Sequence, residues 1–188
     1  GLPCDICDQE RRFAEHFFLR LPLAALRKIH PDHACKLIRE AFAFYQKRAP
    51  KKPAIRIRES ICSTGKQAGM PTLIIELLND DKPFLVNSLT NLLSTLNLSL
   101  YGLFHPIFNV QRDTKGQLIA FKAMQEGQTE SFIHAEIATL PDTLSIAKLT
   151  EKINDMLHHI DLAVNDWSAM LSQANHATAS LACAQDYN

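Results

Sequence analysis

The chain has 188 residues, 46% of them hydrophobic, and its 20 basic and 20 acidic side chains leave no net charge. That is enough apolar material for one cored domain and argues against disorder. Balanced charge gives neither nucleic acid nor an anionic membrane a whole-chain attraction, and no apolar run approaches the roughly 20 residues that span a bilayer.

No signal-peptide pattern opens the chain, which begins on Gly1 as a trimmed polypeptide would. Cys4 and Cys7 form a C-x-x-C pair, but no second pair or H-x-x-x-H follows to complete a zinc site. With Cys35, Cys62 and Cys183 the count is odd and irregularly spaced, as in a cytoplasmic protein with reduced thiols. Neither a metal nor a cofactor is expected in this segment.

Residues 1–53 read as a helical segment. Phe13, Phe17, Phe18 and Leu21 form one stripe, and Pro22 opens a short helix through Leu26 and Ile29. Pro31 suits the first position of the next helix, whose face carries Leu37, Ile38, Ala41, Phe42 and Tyr45 and which Pro50 and Pro53 stop. The basic run Lys47, Arg48, Lys51, Lys52, Arg56 and Arg58 is either an anion site or a solvated sheet edge. Ile55 and Ile57 alternate with Arg56 and Arg58, which favours the edge. Ser60 to Gly69 is expected to be a loop.

An α/β module is expected over residues 54–172. Leu73 to Leu78 is a near-continuous apolar run, as in a central strand covered on both faces. Asn79-Asp80-Asp81 ends it and is placed to cap a helix with Pro83 in its first turn. Leu85, Leu89, Leu92, Leu93 and Leu96 then form one helical face, with Asn97 as terminator. The next strand alternates over unusual length. Leu98, Leu100, Phe104, Phe108 and Val110 face one way, and Ser99, Tyr101, His105, Asn109 and Gln111 the other. Pro106 marks an edge or a bulge. Asp113 to Gly116 is a turn, Gln117 to Ala123 a return strand, and Phe132 to Thr139 a further alternating strand. Ser145 caps a last helix with the stripe Leu149, Ile153, Leu157, Ile160, Val164, Trp167 and Leu171. Residues 173–188 read as a flexible tail.

Strand, helix, hairpin strands, helix is the order of a ferredoxin-like α+β sandwich, with helices on one face of an antiparallel sheet. The closing strand is missing, so either Ala54 to Glu59 fills that edge or later sequence does; the first is preferred. The opposite sheet face carries Tyr101, His105, His134 and Glu136. It reads as a wet outer face, as a contact surface for neighbouring domains, or as a ligand or metal site.

Catalytic signatures are missing: there is no G-x-S-x-G, P-loop, G-x-G-x-x-G or H-E-x-x-H. The pairs His30/His33 and His158/His159 read as solvated histidines.

Asn79-Asp80-Asp81-Lys82-Pro83-Phe84-Leu85-Val86-Asn87-Ser88 is followed in order by His105-Pro106, by Val110-Gln111-Arg112-Asp113 with Gly116-Gln117-Leu118, and by Glu130 to Ile137. Asp166-Trp167-Ser168-Ala169-Met170 closes the set. Together these resemble the N-terminal region of the large-subunit class of bacterial NAD-dependent glutamate dehydrogenases, over roughly Phe13 to Leu171. Lys82, Asn87 and Phe132 depart from the residues usual at their positions. The resemblance implies an ACT-like regulatory module whose parent converts glutamate to 2-oxoglutarate with NAD at a distant catalytic domain. It implies as partners the remaining domains of the parent, further copies of it, and an amino-acid effector near Asn79, Asp80, Asp81 and Lys82. A free-standing ACT-like amino-acid sensor is the alternative.

Overall fold

The structure, a computed structural model, describes residues 7–19, 29–62, 69–123 and 126–185, with residues 168–185 described by their backbone alone. Among the described residues, two helices come first. α1 (Asp8–Phe18) starts at Cys7, whose Sγ accepts a hydrogen bond from the Glu10 amide, and it buries Phe13, Ala14 and Phe17. α2 (Pro31–Tyr45) begins at Pro31, where a missing N–H costs nothing, and buries Leu37, Ile38, Ala41, Phe42 and Tyr45. The short helix expected from Pro22 lies outside the described residues, as does Cys4.

Six antiparallel strands follow: β1 (Ala54–Ile61), β2 (Pro71–Asp80), β3 (Leu100–Phe104), β4 (Ile107–Arg112), β5 (Leu118–Phe121) and β6 (Gln128–Ile137). Between β2 and β3 runs α3 (Leu85–Thr95), and α4 (Ile146–Gln185) follows β6. The sheet order is β1-β2-β6-β4-β5, with β3 also paired to β6. The closing edge is therefore supplied from the N-terminal side: β1 lies antiparallel to β2, with Ile57 opposite Ile75. β3 and β4 are two halves of one long strand along β6, interrupted at His105 and Pro106. Pro106 lacks an amide donor, but its carbonyl still accepts from the Phe132 amide.

Parity explains the apolar run of β2. Ile74 and Leu78 point into a cluster with Phe13, Phe17, Leu37, Ile38, Phe42, Tyr45, Phe108 and Phe132. Leu73, Ile75 and Leu77 point the other way, into a cluster with Leu85, Leu89, Leu93, Ile133, Leu149, Ile153 and Leu157. The module's own helices α3 and α4 cover one face, and the N-terminal helices α1 and α2 cover the other. The face expected to be wet is thus a second core, with Phe13 stacked 5.2 Å from Phe108.

Local signals account for several ends. α3 finishes in a Schellman motif: the Leu98 amide reaches Leu93 O, the Asn97 amide reaches Ser94 O, and Asn97 takes φ 55°. Asp113 Oδ1 accepts from the Lys115 and Gln117 amides and closes the β4–β5 turn. Ser145 Oγ accepts from the Lys148 amide at the start of α4. That helix continues to Gln185 instead of ending near Ser172. Ala174, Ala177, Ala179, Ala182 and Ala184 supply the helix propensity that a reading of the stretch as a tail leaves out.

Candidate functional site

The turn from β2 to α3 does not cap the helix as expected. Asp80 is still strand, and α3 starts only after Phe84, which takes a left-handed φ of 72° with no side-chain cap. Pro83 accordingly precedes the helix instead of standing in its first turn. A bulky residue in that conformation is a backbone outlier.

The turn's polar side chains are mostly engaged. Asp80 accepts from Arg48 Nη1 at 2.7 Å and from Gln128 Nε2 at 2.7 Å. Partial burial raises the Asp80 carboxyl, but Arg48, Gln128 and Lys82 outweigh that and hold it below the usual range. Asn79 is buried, with its Oδ1 3.4 Å from Arg48 Nη2. Lys82 bridges to Asp161 on α4. Asp81 is exposed and anchored by its own amide, which donates to Thr129 O.

Behind the turn lies a buried ionic cluster. Glu130 has no exposed surface and receives Nε and Nη2 of Arg112 at 2.7 and 2.8 Å, a two-pronged grip. Arg48 Nη1 adds a contact at 3.1 Å and the Tyr45 hydroxyl donates at 2.9 Å. Burial and the Glu130 charge push the Tyr45 phenol well above its ordinary value. Arg112 also donates to the carbonyls of Tyr45, Gln46 and Gly116. The cluster ties the end of α2 to the sheet.

A second cluster sits under α1 and α2. Glu76, inside the apolar run of β2, is fully buried and accepts from Arg56 Nε at 2.5 Å. Arg58 touches it at 3.4 Å and pairs with Glu40 of α2 at 2.7 Å. His134 stands directly across the ladder, its Nδ1 3.5 Å from Glu76 Oε1. Burial raises the Glu76 carboxyl, but the neighbouring His134 and the hydrogen-bonded Arg56 more than compensate and hold it at about 2. The Phe17 and Phe104 rings stand nearly perpendicular to the imidazole, 5.4 and 5.5 Å away. Glu136 is buried as well and accepts from Cys62 Sγ at 3.3 Å.

This corrects the expected interface. His134 and Glu136 belong to the interior, because α1 and α2 cover the face that carries them. His105 and His134 do not share a face either: the continuous register along β6 alternates Phe104 with His105, and His105 Nε2 instead meets Ser131 Oγ at 2.5 Å. Tyr101 is half-buried beside the irregularity between Leu100 and Gly102. Arg56 and Arg58 line the edge strand as expected, but they serve Glu76 and Glu40, and Arg48 is 2% exposed. The buried pairing of Glu76 and Glu130 with arginines was not expected: Arg48 stood only in the basic run, and Arg112 and Glu130 only within the ordered motifs. A lone Glu within Leu73 to Leu78 was the available signal, since a carboxylate at a twice-covered position needs a cation.

His158 and His159 are exposed on α4, as expected. Among the described residues no group of three or more His, Cys, Asp or Glu side chains is arranged to hold a metal ion, and no helix is long and apolar enough to cross a membrane.

Comparison with known proteins decides the family. The family model described as glutamate dehydrogenase, ACT1 domain, matches residues 13–153. The chain belongs to that family. It is also 23% identical over 173 residues to the NAD-specific glutamate dehydrogenase of Halomonas elongata, a match covering 90% of this chain and 11% of that protein. The chain thus spans about a ninth of the length of the curated relative. No solved structure matches. An ACT1 module covered on one sheet face by α1 and α2 describes the architecture, and the buried carboxylates Glu76, Glu130 and Glu136 lie on that covered face.

Proposed function

We propose that this chain is the N-terminal regulatory and assembly module of a large NAD-dependent glutamate dehydrogenase. The parent oxidises glutamate to 2-oxoglutarate and ammonia in the cytoplasm, passing a hydride to NAD at a domain elsewhere in the polypeptide. Its partners are the remaining domains of the parent and further copies of it. The ACT1 match over residues 13–153 carries the reading.

The geometry supports a non-catalytic role for this segment. A dinucleotide site needs glycines where the first strand turns into its helix, so that backbone amides approach the pyrophosphate. Here that turn carries Asp80, Asp81, Pro83 and Phe84, whose carboxylates repel phosphate and whose side chains block the approach. The buried acids Glu76 and Glu130 are already matched with arginines and face no open cleft. An amino-acid effector at the turn would meet Asp81 as the carboxylate for its ammonium group and Lys82 for its carboxylate, while Asp80 and Asn79 hold the turn through Arg48.

Calorimetric titration of NAD into the folded chain tests the reading and should give no saturable heat; micromolar binding overturns it. Thermal-shift screening with amino acids tests the effector. A stabilising amino acid whose effect Asp81→Ala removes supports the turn, and one unaffected by that change places the effector elsewhere.

A further inference from the structure

We propose that the outer α3–α4 face is a self-association surface, on which α4 of a second copy lies antiparallel in the groove between the two helices. The groove encloses about 530 Å³, with Phe84 and Leu92 on one wall and Met156, Ile160 and Ala163 on the other. Phe84 is 58% exposed at its rim, held outward by its left-handed backbone. Trp167, 60% exposed, continues the apolar stripe of α4.

The occupant follows from the order of residues on α4. Away from the sheet, Lys152, Met156, His159, Ala163 and Asp166 recur at steps of four, three, four and three, the spacing of a helix-pairing seam. Read backwards, this seam is complementary to itself. About a two-fold axis at His159, Lys152 lies level with Asp166 of the second copy, and Met156 lies within one residue's rise of Ala163 of the second copy. Opposite charges and a large residue against a small one thus coincide in one register. A patch that complements itself gives a closed two-fold dimer, not an open chain. Ala163 allows close approach, and Phe84 and Leu92 complete the bed for the incoming helix. Lys152, His159, Ala163 and Asp166 are exposed, so substitutions there leave the core untouched.

The proposal concerns this chain alone and stands or falls independently of the parent's reaction. Sedimentation velocity on the 188-residue chain tests it, with circular dichroism confirming that each variant is folded. The wild type should dimerise with concentration. Lys152→Asp and Asp166→Lys should each weaken the dimer by about tenfold, because the two-fold repeats each charge contact and one reversal turns both into repulsions. The double variant should recover to within about threefold of wild type, since the pairs are restored with their signs exchanged. A wild type that stays monomeric at millimolar concentration overturns the proposal and leaves the groove to another segment of a longer polypeptide. Single reversals without effect, or a double variant no better than the singles, also overturn it.

Discussion

Glu76 and His134 face each other across the β2–β6 ladder with neither side chain exposed, the imidazole Nδ1 3.5 Å from Glu76 Oε1. Two titratable groups thus lie in the middle of the sheet, roofed by Phe17 of α1. They join the N-terminal helices to the module. His134→Ala removes one partner of a buried pair and leaves a hole against Phe17 and Phe104. It should cost about 3 kcal/mol, measured by urea unfolding, where an exposed histidine would cost within about 0.5 kcal/mol.

Acid should open the fold through Glu76. Its carboxyl is held at about 2 in the folded state against an ordinary 4.5. A depressed folded value contributes stability that is present above the unfolded value and lost as pH falls through the window from about 4.5 to about 2. The contribution is on the order of 3 kcal/mol. Glu76→Gln should therefore flatten the stability profile across that window, as read by denaturation at a series of pH values. A profile as steep as wild type would reassign the acid sensitivity to other carboxylates.

Arg48 and Asp80 form an ion pair at 2.7 Å, yet the two ends are unequal. The Arg48 side chain is 2% exposed and also serves Glu130, whereas that of Asp80 is 37% exposed. Arg48→Ala should cost about 3 kcal/mol by leaving Glu130 short of a cation and vacating buried space. Asp80→Ala should cost about 1 kcal/mol, as expected of a half-exposed pair. Equal costs, measured by chemical denaturation of both variants, would show that the Asp80 contact and not the Glu130 cluster dominates.

Gly116 takes φ +83°, and a Cβ built there would lie 1.8 Å from the backbone oxygen of Arg48. The Gly116 carbonyl meanwhile accepts from the Arg48 amide and from Arg112 Nη1. Gly116→Ala must shift this backbone as well as bear a left-handed strain of roughly 1–2 kcal/mol. The expected loss exceeds 2 kcal/mol by thermal or urea unfolding, as for other strained positions. A neutral result would mean that the β4–β5 turn is not held against residues 46–48.

Much of the fold was legible because its signals are local. The steps of α2 and α3, Asn97 as terminator, the Asp113 turn and the long alternating strand broken at Pro106 all depend on nearby residues. So does the edge position of β1, where Ile and Arg alternate. What escaped depends on distant packing. Alternation along β6 separates Ile133 from His134, but it does not reveal that α1 folds back over the His134 side. A polar residue on such a strand reads as wet until its cover is known. Asp80 was similarly ambiguous: the same residue that suits a helix cap also suits Arg48, and Arg48 lies 32 positions away. Several of the ordered motifs coincide with particular features of the fold: Asn79 to Ser88 spans the β2–α3 turn, His105-Pro106 interrupts the long strand, and Arg112 and Glu130 form a buried pair.

A module that regulates and assembles an enzyme whose catalytic residues lie elsewhere should be removable without loss of the chemistry. The comparison to make is steady-state glutamate oxidation by the full parent and by a version lacking residues 1–188, with both shown to be folded and to bind NAD. Turnover at saturating glutamate and NAD should stay within about threefold of the parent, less than the hundredfold or greater loss that follows removal of an acid–base or electrostatic catalytic group. Assembly or the response to amino acids should change. Abolished turnover in a folded, NAD-binding remainder would instead place part of the catalytic machinery in this module.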